Sequence, residues 1–156
     1  MSLKARTNQS IDPGPTESGG LTSPVLLYDG ECGFCDRTVK FALRRDQGGP
    51  LRFATLQGAY GAALVSRHPE LAHVDSLVWV EANGAVERVW VRSAGALRLA
   101  RYVGGIWSIL AGIAMLVPRP LRDAAYDAFA RRRYRWFGTS ENCELPTPEE
   151  RARFIA

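Results

Sequence analysis

The sequence predicts an α/β fold in which a βαβ unit and a β-hairpin share one sheet flanked by helices. Apolar runs at residues 25–29 and 51–55 enclose a helical pattern, which is typical of two parallel strands with a right-handed crossover. Asn83 and Gly84 join two runs rich in Val and Trp, and this dipeptide favours the type I′ turn of a hairpin. Helical spacing of apolar residues dominates the chain after Ser93.

Strands and helices alternate in the first half of the chain. The strand at residues 25–29 is short and apolar, and helix 33–45 follows it and ends at the Gly-Gly-Pro sequence of residues 48–50. The second strand covers residues 51–55, and a short helix over residues 59–67 ends at a His-Pro pair. Because a helix separates the two strands, we expect them to be parallel and to lie in one sheet.

A hairpin and a further helix come next. The hairpin strands cover residues 76–82 and 85–91, and both faces of the first strand are apolar, which suits a sheet covered by helices on both sides. We expect Ser93 to cap a helix that runs to about residue 103 and ends at a Gly-Gly pair.

The rest of the chain is predicted to be helical. Helices cover residues 106–117 and 120–137, and a last short helix opens with Thr147 and Pro148 in a capping-box pattern. The order strand, helix, strand, helix, hairpin, helix is that of a thioredoxin-like core. The helices from residue 106 onward are an extension of that core.

Length and composition indicate one globular domain over residues 24–156. With 156 residues, 46% of them hydrophobic, the chain can bury a sound core. Residues 1–23 are rich in Ser, Thr, Gly and Pro, so we predict a disordered tail, and they hold no apolar stretch for a signal peptide. Three cysteines are too few for the disulfide framework of a secreted protein, and an odd number would leave one unpaired. The cysteine content therefore favours a reducing, cytoplasmic location.

Two cysteines at the start of the first helix carry the predicted chemistry. The helix N-terminus has free N–H groups and a partial positive charge, which favour a thiolate at Cys32. Cys35 lies one turn along the same face, so the pair can close a disulfide. We expect Cys32, nearer the helix end and more exposed, to attack a substrate disulfide, and Cys35 to resolve the mixed disulfide.

Carboxylates surround this pair in the sequence. Asp29, Glu31 and Asp36 disfavour a second negative charge at the cysteines, which predicts a reductase or a mild exchanger rather than a strong oxidant. Asp29 has two candidate roles, a proton acceptor for Cys35 during resolution and a cap of the turn through its side chain. The predicted substrate is a disulfide-containing protein or a small thiol. An external thiol or reductase re-reduces the pair, and no organic cofactor is expected.

The Cys-x-x-Cys spacing also occurs in metal sites and at buried apolar positions. A zinc site needs a second pair of ligands, and the remaining candidates, Cys143, His68 and His73, lack the usual spacing. The acidic neighbours of the pair argue against a purely apolar core position. Cys143 is either a further thiol that resolves a mixed disulfide or a free thiol without a role.

A different class of function is a peripheral membrane or protein-interaction module. The apolar run 106–117 is too short to span a bilayer, which needs ~20 residues. It can instead lie on a lipid surface together with the arginines of residues 131–135. Those arginines stand beside aromatic residues, which is a weak signal for nucleic acid. Because they also suit the C-terminal end of a helix ahead of Gly138, we predict no nucleic-acid partner.

The chain resembles the DCC family of thiol-disulfide oxidoreductases, whose name refers to an Asp and two Cys. The residues that carry the resemblance are Tyr28-Asp29-Gly30-Glu31-Cys32-Gly33-Phe34-Cys35, Arg52-Phe53-Ala54, Asp75-Ser76, Arg92-Ser93, Pro118-Arg119-Pro120, Tyr126-Asp127, Arg133-Tyr134-Arg135-Trp136-Phe137-Gly138 and Cys143 before Pro146. The resemblance implies a thioredoxin-like fold and disulfide oxidoreductase activity carried by Cys32 and Cys35, with Asp29 as the third signature residue.

One segment departs from the wider thioredoxin pattern. Thioredoxins place a cis-proline opposite the active cysteines just before the third strand, whereas residues 73–76 of this chain contain no proline. We expect Asp75 or Ser76 to take that place. Because the proline helps to bind an extended polypeptide, its loss favours another kind of substrate, such as a small thiol.

Overall fold

The computed structural model describes residues 23–46, 49–83, 86–139 and 147–155. Its centre is a mixed sheet of five strands in the order β4-β3-β1-β2-β5. The strands are β1 (Val25–Tyr28), β2 (Arg52–Thr55), β3 (Val78–Asn83), β4 (Val86–Val91) and β5 (Phe154–Ile155).

Six α-helices lie among the described residues. They are α1 (Gly33–Arg45), α2 (Ala59–Arg67), α3 (Arg92–Val103), α4 (Ile106–Ala114), α5 (Arg119–Phe137) and α6 (Pro148–Arg151). A short 3-10 turn, Pro69–Leu71, follows α2. This arrangement is a thioredoxin-like core with additional C-terminal helices, as the sequence predicted.

Strand pairing confirms the predicted βαβ unit and hairpin. β1 is parallel to β2, with Leu26 opposite Phe53, and antiparallel to β3, with Leu26 opposite Trp79. β3 and β4 form an antiparallel ladder. The predicted type I′ turn includes Gly84, which lies outside the described residues.

The fifth strand was not predicted. β5 has only two residues and pairs in parallel with β2, so it is too short to show a strand pattern in the sequence. Arg153, just before it, donates hydrogen bonds to the carbonyl oxygen of Leu51 and to the carboxylate of Asp46. These long-range contacts, rather than local propensity, hold the strand at the sheet edge.

Apolar side chains cover both faces of the sheet. One cluster packs Leu26, Phe53 and Trp79 against α1 and α3, and a second packs Val25, Leu27, Val78 and Val80 against α2 and the 3-10 turn. Alternate residues of one strand therefore enter opposite clusters. This confirms the prediction of a sheet buried between two layers of helices.

Most helix ends follow the sequence signals. Gly104 and Gly138 end α3 and α5 with φ of 75° and 68°, a conformation that glycine adopts without steric cost. The predicted capping box at Thr147 is present. The predicted N-cap at Ser93 is wrong: α3 begins at Arg92, with Val91 as its N-cap residue, and the Ser93 hydroxyl donates to the Asp123 carboxylate, so it ties α3 to α5.

Three further expectations concern the end of α4, membrane-spanning helices, and the tail and Cys143. Helix α4 ends at Ala114, short of the predicted residue 117. The described helices include none with both the length and the apolar content that crossing a bilayer demands. The predicted disordered tail lies outside the described residues except for Ser23, and Cys143 lies outside them as well.

Candidate active site

The two cysteines lie where β1 passes into α1. Cys32 is the N-cap residue of α1, and Cys35 lies in its first turn. The two thiols are close enough for Cys32 to raise the pKa of Cys35, as the spacing predicted. Both residues are 0% exposed. The expectation that Cys32 is the more exposed cysteine is therefore wrong.

The chain that follows α5 covers Cys32. Cys32 and Thr139 form an isolated antiparallel bridge, and the Gly33 N–H donates to the Gly138 carbonyl oxygen over 3.2 Å. A Cβ at Gly33 would lie 2.8 Å from the Phe137 carbonyl oxygen, closer than real Cβ contacts come. Glycine between the cysteines is thus required by the close approach of this distant segment.

Asp29 is buried and fully engaged in hydrogen bonds. It is 4% exposed. One carboxylate oxygen accepts from the Glu31 N–H at 3.0 Å and from the Gln57 amide at 2.9 Å. The other accepts from the Arg133 guanidinium at 3.2 Å and from the Tyr134 hydroxyl. The contact with Glu31 confirms the predicted turn cap. The predicted proton transfer with Cys35 stays a prediction.

Arg133 is the functional candidate that the sequence analysis missed. It is 1% exposed, whereas the sequence analysis assigned it to a cluster of arginines at the C-terminal end of a helix. One guanidinium nitrogen lies 3.9 Å from the Cys35 sulfur, and the other contacts the carboxylates of Asp29 and Asp75. The guanidinium thus joins β1, α1, α5 and the segment before β3.

A signal for Arg133 was present in the sequence. Phe129, Arg133 and Phe137 are spaced four apart on α5, so they share one helix face. Both phenylalanines pack against Phe34, the residue just before Cys35, with ring centroids 4.8 and 5.1 Å from it. An arginine in the middle of an aromatic stripe indicates a buried charge with a partner.

Burial and charge act in opposite directions on these groups. Burial raises the pKa of the Cys35 thiol to about 12, and the neighbouring Cys32 adds to the rise, while the charge of Arg133 opposes it. Burial also works against the charged form of Arg133, yet Cys35, Asp75, Cys32 and Asp29 together raise the pKa of its guanidinium above the ordinary value. Arg133 is therefore a permanent cation beside Cys35.

The segment before β3 lies beside the site, where thioredoxins have their proline. Asp75 contacts Arg133, and the buried Ser76 accepts a hydrogen bond from the Arg92 N–H at 3.2 Å. The described residues contain no cis peptide bond. Whether Asp75 or Ser76 takes over the substrate-binding role of the proline remains a prediction.

An apolar cavity of about 600 Å³ adjoins the site. Its wall is built by α1, α3, α4 and α5, and it includes Phe34, Phe129 and Trp107. Phe34, the residue before Cys35, thus lines this cavity.

Metal-binding groups do not converge in the part of the chain that the structure describes. No three His, Cys, Asp or Glu side chains come together there as a metal site. His68, one of the candidate ligands, instead contacts Glu70 and Glu87 at 3.2 and 3.0 Å.

A dithiol at the start of the helix that follows the first strand of a thioredoxin-like core defines the class of thiol-disulfide oxidoreductases. Residues 26–139 match the family model described as DCC1-like thiol-disulfide oxidoreductase. The chain belongs to this family.

Two curated relatives extend this comparison. The uncharacterized protein YuxK of Bacillus subtilis is 34% identical over 132 residues, which covers 84% of this chain and 93% of the relative. A chloroplastic DCC family protein of Arabidopsis thaliana is 32% identical over 123 residues, which covers 78% of this chain and 69% of the relative. No solved structure matches the chain.

Proposed function

We propose that the protein reduces disulfides through Cys32 and Cys35. The Cys32 thiolate attacks a substrate disulfide, so that a bond from Cys32 to one substrate sulfur forms and the substrate disulfide breaks. The released substrate thiolate takes up a proton. Cys35 then loses its proton and attacks the Cys32 sulfur, which closes the 32–35 disulfide and releases the second substrate thiolate. Two electrons pass from the protein to the substrate.

The contact between Arg133 and Cys35 is the observation that carries this proposal. Cys35 must ionise to resolve the mixed disulfide, and burial holds its pKa high. A fixed cation 3.9 Å from its sulfur favours the thiolate at this step. Asp29 and Asp75 hold the guanidinium in place.

Asp29 thus acts as the positioning residue for Arg133. Its carboxylate already accepts four hydrogen bonds, which is the full capacity of its two oxygens. To take the proton of Cys35 it must lose a donor, and the Tyr134 hydroxyl is the one that turns away by a simple rotation.

We propose a reductase or mild exchanger as the direction of exchange. Burial disfavours the Cys35 thiolate of the reduced form, and this favours closure of the 32–35 disulfide. The electron donor is an external thiol or reductase of a reducing compartment, which we take to be the cytoplasm. Because Gly138 and Thr139 pair with Gly33 and Cys32 and so cover this end of the helix, a small disulfide fits the substrate role better than an extended polypeptide.

Trapping of mixed disulfides tests the proposal. The Cys35→Ser variant should accumulate a mixed disulfide at Cys32 with a small aromatic disulfide, and the matched Cys32→Ser variant should accumulate none. Wild type should turn over the small disulfide faster than insulin. If neither variant traps a mixed disulfide, the proposed mechanism is wrong. A reduction potential of about −120 mV would contradict the proposed direction of exchange.

A further inference from the structure

The helix α4 and the turn after it expose an unusual amount of apolar surface. Only Ala111 of α4 is buried. Large apolar side chains with exposed fractions of 40–84%, here called the α4 surface, are Ile106, Trp107, Ile109, Leu110, Ile113, Met115, Leu116, Val117 and Leu121. A contiguous patch of this kind marks a contact with a partner or a membrane.

A basic groove lies directly beside the α4 surface. It has a volume of about 400 Å³, and Arg98, Arg101, Arg119 and Arg122 line it together with Met115 and apolar residues of β4 and α3. No carboxylate is among the described residues that line it. The Arg101 guanidinium lies 3.9 Å from the Met115 sulfur, so the groove and the α4 surface are continuous.

The arginines of the groove are only partly neutralised. Arg98 lies 3.9 Å from Glu81 and Arg119 lies 3.6 Å from Asp123. The Nε of Arg122 is buried and has no hydrogen-bond partner within the described parts of the chain. The sequence has no Asp or Glu from residue 88 to residue 122. The groove is therefore a positively charged site with an unused donor.

We propose that the α4 surface and the basic groove dock on an anionic bilayer. The apolar side chains enter the boundary between headgroups and acyl chains, and the arginines bind lipid phosphates beside them. The chemistry fits both parts, since the apolar patch adjoins the cations and Arg101 and Arg119 are exposed. This inference is independent of the proposed redox activity.

A second copy of the chain fits this surface less well. The α4 surface of a second copy would supply no anion to the arginines of the groove, because residues 88–122 contain no Asp or Glu.

The arginines involved also differ from the sequence prediction, which paired the apolar run with residues 131–135. Arg133 of that cluster is buried in the candidate active site, so it is not available to lipid.

Vesicle sedimentation of the full chain tests the proposal. We expect the protein to pellet with vesicles of equal parts phosphatidylcholine and phosphatidylglycerol, and to pellet far less with pure phosphatidylcholine or at high salt. Ile113→Ser/Leu116→Ser should weaken binding by at least about tenfold, because the wild-type protein buries these two apolar side chains in the bilayer and the variant does not. Arg101→Gln/Arg119→Gln should also weaken it by about tenfold or more.

The matched control is Arg44→Gln/Arg132→Gln, which removes the same charge at exposed positions of α1 and α5 and should bind like wild type. Equal pelleting with both vesicle types overturns the proposal, as does a control variant that weakens binding as much as the groove variant. A wild-type dimer in analytical ultracentrifugation that Ile113→Ser/Leu116→Ser converts to monomer overturns it in favour of self-association. Circular dichroism checks that each variant is folded.

Discussion

The candidate active site buries charge, whereas the α4 surface exposes apolar side chains. At the site, Arg133 and Asp29 are almost inaccessible to water, and each has several partners. On α4, apolar residues face solvent beside partly neutralised arginines. Both regions depart from the usual pattern of apolar side chains inside and charged side chains outside. The buried charges are stabilised by partners within the chain, whereas the exposed apolar groups have no such cover among the described residues and are the ones that we propose contact a bilayer.

The two regions also differ in how the chain builds them. The site combines the end of β1, the start of α1, the segment at Asp75 and the last turns of α5, which are far apart in sequence. The α4 surface comes from one continuous stretch, residues 106–121. Substitutions at the site should therefore disturb several elements, and substitutions on α4 should disturb few.

The largest expected effect is that of Arg133→Met. Removal of the guanidinium leaves Asp29 buried without its cation, and such a loss costs about 3 kcal/mol of unfolding free energy. Urea unfolding measures it, with the exposed neighbour as control: Arg132→Met should change stability by no more than about 0.5 kcal/mol. Asp29→Asn added to Arg133→Met should restore part of the loss. Equal stabilities of Arg133→Met and Arg132→Met would contradict the claim that the buried guanidinium stabilises the site.

Per pH unit, the pH dependence of stability is the next largest effect. The pKa of Cys35 rises from 9.0 to about 12 on folding, so between these values the folded state keeps a proton that the unfolded state has lost. Stability is therefore full below pH 9.0 and falls as pH rises toward about 12, by at most about 1.4 kcal/mol per pH unit. Urea unfolding of the reduced protein over this range should give a steeper fall for wild type than for Cys35→Ser. Parallel curves would contradict the assignment to Cys35.

The smallest effect is expected on α4. Leu116 is 84% exposed, so Leu116→Ser should leave the stability of the free protein within about 0.5 kcal/mol of wild type. Leu26→Ala, in the core beneath α1, should lower the free energy of unfolding by about 2–5 kcal/mol. Thermal and urea unfolding of Leu26→Ala and Leu116→Ser measures the difference. A large loss for Leu116→Ser would mean that α4 is a structural part of the core.

Much of the architecture follows from local sequence signals. The bounds predicted for α1 and α2 agree with the structure because glycine, proline and the apolar spacing mark their ends. The hairpin and the end of α5 at Gly138 were predicted for the same reason. β5 escaped prediction because a two-residue strand has no pattern of its own. Ser93 was predicted to be an N-cap because a hydroxyl before a helix often accepts a hydrogen bond from a backbone N–H of the first turn. In the structure, the Ser93 hydroxyl instead donates to the carboxylate of Asp123 on α5.

Neighbouring residues specify the order of strands and helices, the dithiol at the first helix and the apolar run after residue 105, so these features can be predicted from the sequence. Only the folded structure shows that Thr139 covers Cys32 and that Arg133 reaches Cys35. These contacts join residues about a hundred positions apart. No local propensity specifies such contacts, because they arise only when packed helices bring distant segments together.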